Sequence, residues 1–157
     1  MTATAHALDA GAIASKFPDP VTACSLALAS HFIMDTVPHW DVGTNWRKRS
    51  KYATGLFAIG ETVIGITIAY FLFGAKVPLS LLSVTVLASL IPDWLETPWY
   101  IFFARQGKGE PRPRAGIWER LSYQVYKIEN HFHAKAQFPL GAITQIGTVV
   151  FFLILLT

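Results

Sequence analysis

Three long segments of the chain carry almost no charge, and this constrains the fold more than any other feature. Residues 53–74 contain a single charged residue, Glu61, and residues 77–91 and 136–156 contain none. About 20 apolar residues in a helix match the roughly 30 Å hydrocarbon core of a bilayer. A helix also satisfies its own backbone groups there. The sequence therefore predicts an all-α fold, a multi-pass membrane helical bundle.

The composition agrees with this prediction. Of the 157 residues, 52% are hydrophobic and 15% are charged, and the mean hydropathy is +0.39. Soluble domains average roughly 25% charged residues. The single cysteine, Cys24, excludes an intramolecular disulfide. The net charge of +3 is distributed as membrane topology requires, so no nucleic-acid partner is expected.

The remaining segments complete a single integral-membrane domain over residues 1–157. Residues 2–17 are too short to span alone, and whether they re-enter or cross stays open. Residues 117–132 have apolar positions three or four apart, which predicts an amphipathic helix in the membrane interface. The first four helices are expected to pair as two hairpins, followed by this interfacial helix and a C-terminal span. The predicted helices cover about 2–17, 20–37, 53–74, 77–100, 117–133 and 136–156.

Basic residues give the bundle an orientation. Eleven of the 13 lysines and arginines lie in the two loops between the predicted hairpins and the last span. The positive-inside rule places such loops in the cytoplasm, so the predicted localisation is the inner membrane of a cell. These eleven residues are Arg47, Lys48, Arg49, Lys51, Arg105, Lys108, Arg112, Arg114, Arg120, Lys127 and Lys135.

Ionisable residues also gather at this predicted side. His31 and Asp35 are four apart and share one helix face, and His39 and Asp41 follow closely. His6 lies 13 residues before Asp19 and His31 lies 12 after it, so a hairpin around Asp19 brings both histidines to the same depth. Ionisable groups at membrane depth are costly, which makes them functional candidates.

The same arithmetic places two acidic residues of the second hairpin together. Glu61 lies 15 residues before Lys76 and Asp93 lies 17 after it, and residues 117–132 deliver His131 and His133 to the same level. Imidazole and carboxylate ligands suit zinc, manganese, iron or nickel. Their number favours a two-metal site. The predicted metal ligands are His6, His31, Asp35, His39, Asp93 and His131, with Glu61 or Asp41 as the general base.

Several of these residues also have ordinary structural explanations. His31 and Asp35 could form a buried hydrogen-bonded pair that fixes helix packing. Asp93 follows Pro92 and could cap a helical turn. Glu61 could be a carboxyl held neutral by desolvation. His131 and His133 are two apart and point to different helix faces, so at most one of them is expected to bind metal.

Two short motifs resemble known families. His31-Phe-Ile-Met-Asp35, with Pro38-His39 close behind, resembles the His-x-x-x-Asp stretch of zinc-dependent phospholipase C and P1-type nucleases. Ser30-His31 to Asp35, Pro92-Asp93 and the threonine and histidine near the start, Thr2 and His6, resemble the bacterial inner-membrane metal-dependent hydrolase family, which is also called LexA-binding inner-membrane hydrolase-like. This resemblance implies a metal-dependent hydrolase.

The expected function is therefore a membrane-embedded hydrolase that uses one or two Zn2+ ions, or Mn2+ or another divalent metal. A water activated by the metal would attack an anionic substrate, a phospholipid or another phosphoester, at the cytoplasmic interface. The expected partners are the lipid bilayer and this anionic lipid or small molecule. One alternative is a cation or proton transporter that uses Glu61, Asp35 and Asp93 as relays. Another is a non-catalytic membrane interaction module.

Overall fold

The computed structural model describes residues 1–41, 48–104 and 109–156, and these residues are predominantly helical. The all-α fold is thereby confirmed for the described ranges, in which the one pairing of β type is an isolated bridge between His39 and Lys135. Three of the predicted cytoplasmic basic residues, Arg47, Arg105 and Lys108, lie outside these ranges. The helices are α1 (Ala3–Lys16), α2 (Pro20–Asp35), α3 (Lys51–Phe73), α4 (Leu79–Pro98), a π-helical turn (Trp99–Phe103), α5 (Ile117–Phe132) and α6 (Leu140–Leu156).

Short polar side chains fix the starts of the first three helices. Thr2 accepts a hydrogen bond from the amide of Ala5 at the start of α1. Asp19 accepts one from Thr22, and Pro20 occupies the first turn of α2. Such N-caps satisfy backbone donors that a helix leaves unpaired, and proline is favoured at the first helical position. Ser50 caps α3 in the same way.

Two helices are long and apolar enough to cross a membrane, judged by length and composition. They are Lys51–Phe73 and Leu79–Phe103, the second formed by α4 with the π-helical turn. The predicted C-terminal span is shorter than expected, because its helix begins at Leu140 rather than at residue 136. Proline disfavours helical backbone in the residue before it, here Phe138. The 17 residues of α6 reach about 26 Å, less than the roughly 30 Å hydrocarbon core.

The most buried helix is α1, which consists largely of alanine. It packs against α2, α3, α4 and α6, and Ala7, Ala10 and Ala12 are completely buried. At the contact with α3, a Cβ atom on Gly65 would lie 2.7 Å from the Cα of Thr4. Small residues allow backbones to approach this closely. Helix α1 is therefore the central axis of the bundle as well as one arm of a hairpin.

The distribution of polarity is opposite to that of a soluble protein. Large apolar side chains are exposed along α3 and α6, including Phe71 (85%) and Ile154 (77%). Ionisable side chains such as His6, Asp35 and Glu129 are buried. Lysine, arginine and acidic residues are normally at the surface of soluble domains, and extensive exposed apolar surface is typical of contact with lipid.

Helix α5 shows the same orientation. Its apolar residues Ile117, Leu121 and Ile128 are exposed, whereas Glu119 and Glu129 are buried. These apolar residues therefore face away from the protein, together with exposed polar residues such as Arg120 and Lys127, whereas Glu119 and Glu129 point into it. This is the arrangement expected of an amphipathic helix that lies in a membrane interface.

An aromatic cluster attaches α5 to the end of α4. The Trp99 ring is 2% exposed and lies 4.7 Å from the Tyr123 ring and 5.9 Å from the Tyr126 ring, centroid to centroid. Aromatic pairs at such distances add to the free energy of burial. This contact holds the C-terminal half of α5, with Glu129, against the bundle.

Candidate metal centre

Polar side chains from five parts of the chain meet at one end of the bundle. In three groups, potential ligand atoms all lie within 4.8 Å of one another. Ligands of a zinc ion lie about 2.0–2.3 Å from it, so each group has the spacing of a shared ion. The groups are His6, His31 and Asp93; Asp35, His39 and His133; and His31, Asp35 and Glu129.

Asp35 lies at the centre of this arrangement, and its side chain is completely buried. Its Oδ1 is 3.2 Å from Nε2 of His6 and 3.8 Å from Nε2 of His39. Its Oδ2 is 3.9 Å from Nε2 of His31 and 3.5 Å from Nδ1 of His133. Each carboxylate oxygen thus faces two imidazoles, one from the pair His6 and His31 and one from the pair His39 and His133, so Asp35 lies between the two pairs.

His39 and His133 form one half of the centre. Their Nε2 atoms are 2.8 Å apart. Nδ1 of His39 lies 2.7 Å from the carbonyl oxygen of Val37 and donates to it, which leaves Nε2 with its lone pair directed at the cluster. Metal-binding histidines are commonly oriented by such a backbone hydrogen bond.

Asp41 completes this half, because its Oδ2 lies 2.6 Å from Nε2 of His133. Burial opposes ionisation of Asp41, but the hydrogen bond from Nε2 of His133 and the positive charges nearby outweigh that effect. They hold the pKa of the Asp41 carboxyl well below its usual value. The carboxylate is therefore ionised and able to bind a cation.

Backbone contacts hold the two segments that carry these residues. The amide of Ala134 donates to the carbonyl of Asp35 over 2.8 Å, and the amide of His39 donates to the carbonyl of Ala134 over 3.0 Å. At the start of α6, a Cβ atom on Gly141 would lie 2.6 Å from the backbone nitrogen of Trp40. Only glycine permits this approach, which brings α6 against the histidine segment.

His6 and His31 form the other half. Their rings stack with centroids 4.0 Å apart, so the two histidines lie at one depth, as the spacing around Asp19 predicts. Nε2 of His31 is 3.3 Å from Oε2 of Glu129. Helices α1, α2 and α5 therefore each contribute one side chain to this half.

Several buried atoms of the cluster have no hydrogen-bond partner. They are both ring nitrogens of His6, Nδ1 of His31, Oδ2 of Asp35 and Oε1 of Glu129. Buried polar atoms are normally hydrogen-bonded, and an exception needs an explanation. Nitrogen and oxygen atoms left unpaired within ligand distance of each other fit a bound metal ion.

The charge balance points the same way. Asp35, Asp41, Glu96 and Glu129 are buried, whereas the lysines and arginines of the described ranges are exposed except for Arg49, which is partly buried. The amino group of Met1 lies against Asp35. Buried charges are as a rule paired or bound to metals, so the cluster could hold a metal ion.

Glu61, a predicted general base, is engaged elsewhere. Its two carboxylate oxygens accept hydrogen bonds from the backbone amides of Ala3, at 2.8 Å, and Thr4, at 2.7 Å. A carboxylate at a helix N-terminus satisfies free donors and interacts favourably with the helix dipole. In the structure Glu61 ties α3 to the start of α1, and Asp41 is the predicted base that lies within the cluster.

His131 and His133, near the end of α5, have different environments in the structure. His131, the residue chosen as a ligand from the sequence, is exposed and lies against the ring of Phe132. His133 lies in the cluster instead. Glu129 was not predicted. The feature of the sequence that could have identified Glu129 is its position four residues, about one helical turn, before His133.

A cavity of about 90 Å³ adjoins the centre between α3 and α4. A single water molecule needs about 10–15 Å³ on this measure, so the cavity can hold several waters or a small anion. Asp41, Asp93 and His133 line it where it meets the cluster. The other lining residues are Met1, Ala3, Thr54, Ala58, Glu61, Thr62, Trp94, Glu96, Thr97 and Tyr100.

Comparison of the chain with protein-family models, with curated proteins and with solved structures gives no match. The resemblance of the His31–Asp35 and Pro92-Asp93 motifs to a hydrolase family therefore stays a prediction. The function has to be argued from the geometry of the site.

Proposed function

We propose that this protein is a membrane-embedded, metal-dependent hydrolase, and that Asp35 and the four histidines around it would help to hold two divalent ions. The observation that carries the proposal is the position of Asp35, with four imidazole nitrogens within 3.9 Å of its two oxygens. Zinc is the first choice because its usual ligands are imidazole and carboxylate. Manganese, which prefers carboxylates, is the second.

The ligands divide into two sets, and Asp35 lies between them. His39, His133 and Asp41 would hold one ion with it. His6, His31 and Asp93 would hold the other, and Glu129 stands beside His31. This division follows from the groups whose atoms lie within 4.8 Å of one another and from the contact of Asp41 with His133.

Paired ions would activate a water molecule and stabilise both the attacking and the leaving oxygen of a phosphoester. Asp41 lines the cavity, and its ionised carboxylate can accept a hydrogen bond from a water there and so orient that water. The complete burial of Asp35, His31 and His39 keeps the reacting groups in a low-dielectric environment, in which electrostatic stabilisation is strong.

The proposed setting is the inner membrane, with the centre near the cytoplasmic surface. The two helices of spanning length and the exposed apolar residues of α5 and α6 support a multi-pass arrangement. Basic residues that shortly precede the cavity-lining Thr54 in the sequence, Lys48, Arg49 and Lys51, favour an anionic substrate.

Elemental analysis of detergent-purified protein tests the proposal. We expect about two divalent ions per chain in the wild type. Asp35→Asn, which preserves the size of the side chain, should lose nearly all of the metal. Asp19→Asn, a substitution in the turn before α2, should keep it. Wild-type protein purified without chelators and free of transition metal would show the proposal to be wrong.

Activity is the second arm of the test. The metal-loaded wild type should hydrolyse bis(p-nitrophenyl) phosphate, a chelator should abolish this, and added Zn2+ should restore it. Metal-loaded protein that hydrolyses no phosphoester but carries cations into liposomes would instead support transport.

A further inference from the structure

The cavity between α3 and α4 extends from the metal centre to the side of the bundle. Asp93 and His133 line its inner part. Trp94, which also lines it, is 41% exposed, and Ala58 and Thr62 on α3 are partly exposed. The cavity therefore reaches the surface between the two helices.

The surface around this opening is apolar. Phe57 and Ile59 on α3 are 56% and 52% exposed, and Ile91 and Leu95 on α4 are 49% and 41% exposed. These are the two helices that are long and apolar enough to cross a membrane. A molecule in the bilayer could reach the metal centre through this opening without leaving the lipid.

Packing closes the centre on its other sides. His6, His31, Asp35 and His39 are all 0% exposed. Glu129 of α5 is 1% exposed and covers His31 from the interfacial side. Among the cluster residues, those that line the cavity, such as Asp93 and Asp41, are thus the ones that a substrate can contact.

Among the described residues, four carboxyl groups and no lysine or arginine line the cavity, so the proposed divalent ions would hold an anionic headgroup there, and the basic residues lie outside the lining. Lys48, Arg49 and Lys51 precede Thr54, which lines the cavity, by six residues or fewer. Lys51 is exposed and lies one helical turn from it. Basic residues at the membrane surface attract anionic lipid headgroups.

We infer that the substrate is an amphiphile from the bilayer. Its phosphate-type headgroup binds at the metal centre, and its hydrocarbon chain extends between α3 and α4 into the bilayer. This inference rests on the proposed metal-dependent activity. Ala58 and Thr62 on one wall and Trp94 on the other are then the residues that decide whether a chain can be accommodated.

Two phosphonates that differ only in their chain test the inference. Dodecylphosphonate and methylphosphonate offer the same headgroup, and neither can be hydrolysed at its carbon–phosphorus bond. Their affinities for Mn2+-loaded full-length protein in detergent can be measured from changes in the Mn2+ electron paramagnetic resonance spectrum. Ala58→Trp and the smaller Ala58→Leu should obstruct the cavity. Ile59→Trp places the same tryptophan side chain one residue further on, where it faces outward, and is the control.

We expect Ala58→Trp to weaken dodecylphosphonate binding by about tenfold or more, which corresponds to the loss of about two buried methylene groups. Ala58→Leu should weaken it less, and Ile59→Trp should bind like the wild type. Partition of the chain into micelles is the same for all of these proteins and cancels in the comparison.

Three results would overturn the inference. Ala58→Trp could bind dodecylphosphonate as tightly as Ile59→Trp does, or the wild type could bind both phosphonates equally. Either result, with two ions still bound, would be compatible with the proposed hydrolase centre. It would reject only the binding of a hydrocarbon chain between α3 and α4. Wild-type protein that binds no Mn2+ or Zn2+ would reject both.

Discussion

Two histidines at the end of α5 show how far the role of a residue depends on its local backbone. His133 lies 2.8 Å from His39 and 2.6 Å from Asp41, whereas His131, two residues earlier, is exposed. His131 lies in the last turn of α5, whereas His133 follows the helix with an extended backbone. His133 is therefore the one of the two whose side chain enters the cluster.

Substitution of each histidine separates the two roles. We expect His133→Ala to lower the metal content by about one ion per chain, because a site of three or four ligands loses one of them. His131→Ala should leave the metal content unchanged. Elemental analysis of both purified variants measures this, and equal losses from the two would contradict the assignment.

Much of the cluster could be predicted from spacing along the chain. The distances of His6 and His31 from Asp19 set both at one depth, and the stacked rings agree with this. Glu129 could not be predicted in the same way. Periodicity gives the face of α5 on which it lies, but not the partner that this face meets, since α5 is far from α2 in the sequence.

The carboxylate of Glu129 is expected to strengthen cation binding at the centre, because it lies in one group of potential ligands with His31 and Asp35. Glu129→Gln preserves the shape of the side chain but removes its charge 3.3 Å from the imidazole. Loss of such a partner typically lowers metal affinity by about 10–100-fold. A competition titration with a zinc chelator measures the change.

Glu119→Gln is the control for Glu129→Gln. Glu119 is also buried on the inner face of α5, but it pairs with Arg112, with 2.7 Å between Nη2 and Oε2. Its substitution should leave zinc affinity unchanged. If Glu129→Gln binds zinc as tightly as Glu119→Gln does, Glu129 has no part in the centre.

At the scale of the helices, the contact between α1 and α3 sets the position of the centre. Glu61 binds the first amides of α1, and Gly65, one turn further along α3, lets the two backbones touch. This contact fixes the start of α1 and so the depth of His6. Small residues are common where membrane helices approach closely.

Two glycines of α3 give a matched test of this contact. A Cβ atom on Gly65 would lie 2.7 Å from the Cα of Thr4, whereas one on Gly60 would meet nothing within 4 Å. We expect Gly65→Ala to lower the free energy of unfolding by about 1–3 kcal/mol through overpacking. Gly60→Ala should raise it by up to about 1 kcal/mol, because alanine favours helix.

Thermal unfolding in detergent, followed by circular dichroism, compares the two variants. Equal stabilities for Gly65→Ala and Gly60→Ala would mean that the α1–α3 contact is looser than the structure shows. Metal content is a second readout, since displacement of α1 moves His6 away from Asp35.

The sequence predicts the positions of most helices but not their order of burial. Apolar length identifies α3 and α4 correctly, to within a few residues. It does not reveal that α1, with His6 and Asp9 among its alanines, is the central helix, because burial depends on the partners that surround it. The late start of α6 has a local cause in Phe138-Pro139, which a count of apolar residues overlooks.

At the scale of the whole molecule, many ionisable side chains are buried and many large apolar side chains are exposed. The cluster of histidines and carboxyl groups occupies the interior near one end, and large apolar side chains are exposed on α3, α5 and α6. Basic residues lie mainly in the segments next to the cluster, whereas Lys16 and Lys76 mark the other end. This asymmetry predicts both membrane insertion and its direction.

Labelling of single cysteines in intact bacterial cells tests that direction. In a Cys24→Ala background, Lys76→Cys places a thiol at the exposed turn between α3 and α4, and Glu110→Cys places one at an exposed position after the π-helical turn. If α4 with the π-helical turn crosses the bilayer, a membrane-impermeant maleimide should label Lys76→Cys in intact cells. It should label Glu110→Cys only after the cells are opened.

Loss of the Lys76 charge cannot explain the expected result, because removing a positive charge from the outer side strengthens the positive-inside bias rather than reversing it. The glutamate at position 110 has little influence on topology, since acidic residues contribute weakly. Labelling of both positions from the same side would therefore mean that Leu79–Phe103 does not cross the membrane. The apolar surface around the cavity would then face something other than the bilayer core.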